Sequence, residues 1–394
     1  MTVSLSNQKM SLPPLSLYIH VPWCVRKCPY CDFNSHKAEE NIPEAEYVQA
    51  LLEDLEADLP YVQGREIHTI FIGGGTPSLL SVEAYKTLLA GLQKKVSFVK
   101  DIEITMEANP GTFEAEKFVG YRKLGINRLS IGVQSFADKQ LKHLGRIHNG
   151  QQAVAAINMA KEAGFNNFNI DLMHGLPDQS QAQALADIQL AIDLGPTHLS
   201  WYQLTIEPNT EFFKRPPVLP EDETLWDIQE AGQALLAQHG FVQYEVSAYA
   251  QAGKQAKHNL NYWQFGDYLG IGAGAHGKIT DLVNTPKSLT ASAVFRTWKT
   301  RAPKDFLNAE KQFLAGKESI QNEDLGLEFL MNALRLQDGF DLNLFEQRTG
   351  FSLDTIAEGI DAAIEKGLLI KQGSQIKTSA KGSLFLNEIL AFFM

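Results

Sequence analysis

Cys24, Cys28 and Cys31 are the only cysteines among 394 residues, and all three crowd into one loop, YIHVPWCVRKCPYCDF, at residues 18–33. An odd number at Cys-x3-Cys-x2-Cys spacing does not suit a disulfide framework. Thiolates are soft metal ligands, and this spacing gathers three of them on one tight turn behind an apolar run. A closed structural zinc site takes four protein ligands, usually from two separated pairs, so zinc here would need a histidine from elsewhere. Three close thiolates without a fourth suit a cubane iron–sulfur cluster whose last iron stays open to a small-molecule ligand. A plain trio of buried cysteines is the third reading of the same residues.

The surrounding elements must position that loop. SLYIHV before it is a β-type run, and residues 44–59 carry apolar side chains at helical spacing. Strand and helix patterns then alternate: EIHTIFIGG with SVEAYKTLLAGLQKKV, IEITMEA with FEAEKFVGYRKLG, RLSIGVQ with QQAVAAINMAKEAG, NFNIDLMHG with QAQALADIQLAIDLG, and HLSWYQLTI with TLWDIQEAGQALLAQHG. Near-continuous apolar strands alternating with helices predict a parallel sheet with right-handed crossovers. Six such units are too few for a closed eight-fold barrel and predict a partial (β/α)6 barrel, with an open doubly wound sheet as the alternative. Both place chemistry at the C-terminal strand ends. Gly73, Gly74, Gly75, Thr76 and Pro77 follow the second strand, Glu107 ends the third, Gln134 and then Arg146 and His148 follow the fourth, and Asp171 lies in the fifth. A triple glycine permits close backbone approach to a ligand but also makes a plain turn. Glu107, Arg146 and Asp171 would be costly in such surroundings without a ligand or a salt-bridge ring among themselves.

The cysteine spacing, with Tyr30 before the last cysteine, resembles the signature of the radical S-adenosylmethionine (SAM) superfamily. That resemblance implies a 4Fe–4S cluster on the three cysteines, SAM chelating the fourth iron through its amine and carboxylate, and one-electron cleavage of SAM to a 5′-deoxyadenosyl radical. It also favours the partial barrel. Tyr18, six residues before Cys24, and Phe33, two after Cys31, resemble the branch of oxygen-independent coproporphyrinogen III oxidases and their heme-chaperone paralogues. In that branch the positions of Tyr18, Gly74, Gly75, Thr76, Glu107, Gln134, Arg146 and Asp171 contact SAM, and Tyr30 matches an aromatic beside the cluster. The resemblance is dense over residues 16–201 and thinner to about 277.

TIEPNTEFFKRPPVLPEDE, rich in proline and acid, reads as a loop over the barrel. KHNLNYWQFGDYLGIGAGAHG then holds His258, Asn259, Tyr262 and Trp263, with His276 near its end. On residues alone these suit core packing and a satisfied imidazole. His-Asn-x-x-Tyr-Trp also matches a motif of the heme-chaperone branch, which implies that His258 faces heme. The expected division is a lead at 1–15, a barrel with its extension at 16–280, and a small helical domain at 281–394. There, three helical patterns followed by the hairpin LLIKQGSQIKTS, and a last helix SLFLNEILAFFM, resemble a winged helix acting as a lid or docking unit.

A net charge of −11 argues against nucleic acid, which requires clustered Lys and Arg. No apolar run is long enough to span a bilayer, and the polar N-terminus has no signal core, so a cytoplasmic location is expected. The branch leaves two functions. One is oxidative decarboxylation of coproporphyrinogen III. The other is a chaperone that keeps the cluster and SAM but hands heme to proteins such as respiratory cytochromes, with at most transient membrane association, as monomer or homodimer. Phe33 stands where the oxidases generally have a fourth cysteine, the N-terminal lead is short, and HNxxYW is present. All three favour the chaperone over the dehydrogenase.

Overall fold

A computed structural model describes residues 6, 10–39, 41–112, 114–283 and 293–394. Six strands run parallel in sequence order: β1 (Leu15–Val21), β2 (Ile67–Gly74), β3 (Phe98–Ala108), β4 (Arg128–Gln134), β5 (Phe168–His174) and β6 (His198–Gln203). Helices α1 (Glu44–Asp58), α2 (Val82–Lys95), α3 (Ala115–Lys123), α4 (Gly150–Glu162) and α5 (Gln181–Asp193) cross between them, and α6 (Asp222–Gln238) follows β6. Several helix starts are written locally. Asn149 and Ser180 form full capping boxes with Gln152 and Gln183, which satisfy backbone N–H groups that a helix start leaves free.

The sheet does not stop at six strands, and it does not close. Past β6 lie the short strands β7 (Val242–Glu245) and β8 (Ala248–Ala250), with β8 antiparallel to β6. On the other side β9 (Asp267–Ile271) pairs in parallel with β1, and β10 (His276–Thr280), β11 (Val294–Lys299) and β12 (Leu314–Ser319) follow antiparallel. The order is β12-β11-β10-β9-β1-β2-β3-β4-β5-β6-β8-β7. The partial barrel therefore continues past the expected boundary at 281. Glycines around β9 and β10 and the exposed polar edge of β12 hid these strands, because an antiparallel edge needs no continuous apolar run.

The strands also differ from the near-continuous apolar runs expected. Along β4 to β6 the apolar side chains Leu129, Ile131, Ile170, Leu172, Leu199 and Trp201 join the core under the helices. Their alternate neighbours Ser130, Gln134, Asn169, Asp171, Ser200 and Tyr202 line a cavity on the inner face. A period of two sends successive side chains to opposite faces, so the barrel interior is polar.

A second apolar cluster, with Phe329, Phe345, Ile356, Ile360 and Ile376 at its heart, supports the C-terminal unit. Helices Asn322–Ala333, Leu342–Thr349 and Asp354–Glu365 precede the hairpin Leu369–Gln372 with Gln375–Thr378. A short strand, Phe340–Asp341, makes this a three-stranded wing. The last expected helix is broken into Ala380–Leu384, Leu386–Leu390 and one 3-10 turn. Phe265, in the turn before β9, and Val294, at the start of β11, belong to the same cluster, which fixes the unit against the barrel.

Candidate functional site

The cysteine loop leaves β1 and is held by main-chain bonds to the glycine loop after β2. Gly75 N–H donates to Val21 O at 2.7 Å and Thr76 N–H to Trp23 O at 2.7 Å. Position 75 must be glycine for this, since a Cβ there would lie 2.5 Å from the Trp23 carbonyl oxygen. Trp23–Cys24 pairs with His36–Lys37, closing the loop at its base. From above, Phe212 N–H donates to Pro29 O at 3.0 Å, so the expected covering loop touches the cysteine turn.

All three sulfurs are free, partly exposed thiols lining one cavity of about 420 Å³. Each has an outer partner. The Thr76 hydroxyl donates to Cys24 Sγ at 3.6 Å, Arg146 Nη1 to Cys28 Sγ at 3.6 Å, and Ser35 Oγ lies 3.9 Å from Cys31 Sγ. Burial raises the thiol pKa of Cys24 and Cys31, so metal binding there must displace protons. Among the described residues no three His, Cys, Asp or Glu side chains converge on one metal ion. Tetrahedral Zn–S bonds of about 2.3 Å would draw three sulfurs to within roughly 4 Å of each other. A set of three thiols fits a polynuclear cluster better.

The same cavity brings together Tyr30, Gly74, Gly75, Thr76, Glu107, Gln134, Arg146 and Asp171 with Cys24, Cys28 and Cys31. The salt-bridge ring does not form. Arg146 reaches Cys28, the Tyr30 hydroxyl at 3.5 Å and the Gly132 carbonyl, while Glu107 accepts from Gly74 N–H at 3.0 Å. Asp171 accepts from Ser130 Oγ at 3.0 Å and Asn169 Nδ2 at 2.7 Å. Burial, and then the Asp171 carboxylate, push Glu107 up to about 7. Arg128 and Arg146 line the same cavity, yet among the described residues neither Glu107 nor Asp171 is in a salt bridge, so both carboxylates suit a positively charged group on a ligand. Gln134 ends β4 in a left-handed conformation, φ 70°, with Oε1 accepting from the Tyr202 hydroxyl at 2.8 Å. A strained non-glycine residue at a strand end aims its side chain inward.

Two expected residues lie elsewhere. Tyr18 lines a neighbouring cavity and holds His20 Nδ1 at 2.9 Å. His258 lines neither cavity. It sits 1 % exposed in helix α7 (Lys257–Trp263), with Nδ1 2.8 Å from Thr69 Oγ1 and Nε2 3.0 Å from the Tyr262 hydroxyl. Burial lowers its pKa to about 3. Both ring nitrogens of His258 are thus committed inside the core in this structure. The motif's Tyr262 reaches a cavity wall instead. Missed from the sequence were Arg128, Asn169 and His198, which form the cavity's deep polar floor. The signal was the alternation in RLSIGVQ, FNIDLM and HLSWYQ.

Residues 18–191 match the radical SAM superfamily and residues 320–385 the HemN C-terminal domain. Fold and site together define a radical SAM protein. A solved structure of coproporphyrinogen III oxidase (HemN) from Escherichia coli shares the fold, with TM-score 0.80 and 24 % identity over 97 % of this chain and 90 % of that one. Among curated relatives, heme chaperone HemW of Escherichia coli is 52 % identical across 98 % of this chain and 99 % of its own. The Haemophilus influenzae and Bacillus subtilis proteins of that name are 51 % and 34 % identical, covering 97 % and 96 % of this chain and 98 % and 99 % of their own. The chain belongs to the HemW heme chaperone family. Among the described residues no helix is long and apolar enough to cross a membrane.

Proposed function

We propose that this chain is a cytoplasmic heme chaperone that holds a 4Fe–4S cluster and SAM and hands heme to acceptor proteins such as respiratory cytochromes. The observation that carries this reading is the likeness to heme chaperone HemW over nearly the full length of both chains. Phe33 supports it, because an exposed phenyl group occupies the position where the oxidases carry a further thiol. Cys24, Cys28 and Cys31 would ligate three irons. When bound, the cluster supplies a single electron at an iron open to SAM. Around it, Thr76 and Arg146 steady two of the sulfurs. Glu107 and Asp171 offer anionic partners to the positive groups of SAM, and Gln134 and Tyr202 offer neutral hydrogen bonds. Residues 281–394 would include the docking unit, whose core from Ile320 onward is shared with Phe265 and Val294.

Heme added to anaerobically reconstituted protein should give a stoichiometric Soret band, and an apo-cytochrome added afterwards should acquire that heme. Retention of heme without transfer, together with conversion of coproporphyrinogen III, would return the protein to the oxidases. The carboxylate pair makes a separate prediction. SAM is cationic and Glu107 ionises as pH rises through about 7, so SAM affinity should increase from pH 6 to 8. Glu107→Gln should bind SAM roughly tenfold to a hundredfold more weakly at pH 8, the loss of one charge-assisted contact, and its affinity should no longer change across that range. Isothermal titration in buffers of different pH measures both effects.

A further inference from the structure

Beside the cluster cavity lies a second one, of about 500 Å³, walled by β1, β9, β10 and α7. Ligand cavities typically enclose roughly 300–1,000 Å³. Asp32, Phe33, Gly74 and Glu107 line both spaces and so form the partition between them. The partition includes the turn that follows Cys31. Phe33, 58 % exposed, stands at the rim.

The wall of this second space is rich in aromatics, carries the Arg301 guanidinium away from the carboxylates of Asp32 and Glu107 on the partition, and has one uncommitted imidazole. Tyr262 and Tyr268 pack edge to face, with centroids 4.5 Å apart. The Tyr262 hydroxyl is fixed by His258 Nε2. His20 has both ring nitrogens engaged, Nδ1 by Tyr18 and Nε2 by the Asn34 carbonyl at 2.8 Å. His276 begins β10 with an exposed side chain and no ring hydrogen bond to another described residue. Burial, and then the guanidinium groups of Arg301 and Arg296, lower its pKa, which keeps a nitrogen lone pair available at neutral pH. Arg301 lines the same wall. A neutral imidazole ligates iron, flat aromatic faces pack on a macrocycle, and a guanidinium pairs with a carboxylate.

We propose that heme occupies this second cavity, with His276 as axial ligand to the iron, Arg301 on a propionate carboxylate, and Tyr262, Tyr268 and Phe33 against the porphyrin. The assignment rests on the heme-chaperone reading. It gives heme and SAM separate rooms with a shared partition, and it makes His258 a positioning residue that acts through Tyr262.

The test is hemin titration of the anaerobically reconstituted full chain, followed by Soret absorption and low-temperature electron paramagnetic resonance. His276→Ala should bind hemin at least roughly tenfold more weakly, the loss of an axial bond, and should lose the histidine-type spectrum, which added imidazole should restore. Arg301→Gln should weaken binding with the Soret position unchanged, as should His258→Ala. Saturating SAM should leave bound heme in place. Wild-type affinity and spectrum in His276→Ala, or displacement of heme by SAM, would overturn the assignment while leaving the chaperone reading intact. A wild-type chain that binds no hemin would sink both.

Discussion

Replacing Cys24, Cys28 or Cys31 with alanine should strip nearly all iron and acid-labile sulfide from anaerobically purified protein. Three protein sulfurs are the whole ligand set that the chain offers at this cavity, and a cluster already one ligand short of four has no spare thiolate to recruit, since the chain has no other cysteine. On the proposed reading, in which SAM anchors to the cluster, SAM affinity should fall with the metal. The residues touching the sulfurs should matter less. Thr76→Val removes one outer hydrogen bond and should weaken cluster retention on the order of 10- to 100-fold, the usual scale for such partners. Iron and sulfide assays with visible absorption report all of this. A variant lacking one cysteine that keeps full iron content, or a wild-type chain holding tight zinc in place of iron, would contradict the cluster assignment.

A second large effect lies away from the cavity. Lys299, 1 % exposed on β11, places Nζ 2.6 Å from Asp54 and 2.8 Å from Asp58, both on α1. Asp54 also accepts the Gly272 N–H at 2.9 Å. One ammonium thus ties the sheet extension to the first helix. Lys299→Met leaves two buried carboxylates without a cation, and breaking such a pair on one side costs about 3–5 kcal/mol. The penalty should depend on pH with a definite sign. Burial raises the Asp54 pKa from 3.8 to about 6 even with the lysine present. A carboxyl whose folded pKa is raised contributes stability at low pH and loses it as pH climbs through the folded value. Without Lys299 that value can only rise further. The gap between variant and wild type in urea midpoint should therefore be widest near pH 7.5 and should shrink towards pH 5. A gap that widens on acidification would show that the ion pair is not the cause.

What could be read from the chain beforehand depended on how rare or how periodic the signal was. Three cysteines in one turn, and three glycines after a strand, are conspicuous, and the structure brings the cysteines, Gly74 and Gly75 into one cavity with Glu107, Arg146 and Asp171. Helical periodicity located the crossover helices. Strands β9 to β12 were obscured because glycine and surface polar residues blur an antiparallel ladder. Apart from Asp171, the inward polar row of Ser130, Asn169, His198 and Ser200 was present as alternation but masked by its apolar partners. The placement of His258 was illegible for a different reason. In a helix, residues four apart share a face, so His258 and Tyr262 bond to each other, and adjacency in a motif does not say which member meets the ligand.

Asn34 sits three residues beyond Cys31, and its side chain is fully used. Nδ2 donates to the carbonyls of Ala273 and Arg301, both at 2.9 Å, and Oδ1 lies 3.3 Å from His36 Nε2. Gly274, in a left-handed conformation, gives it room, because a Cβ there would come within 2.2 Å of that amide nitrogen. Such a clasp admits few substitutes. Aspartate would turn lone pairs toward two carbonyl oxygens, leucine would strand both, and glutamine would carry the amide one methylene too far. Position 34 is therefore a point where a single change would unfasten the cysteine loop from the segments at Ala273 and Arg301.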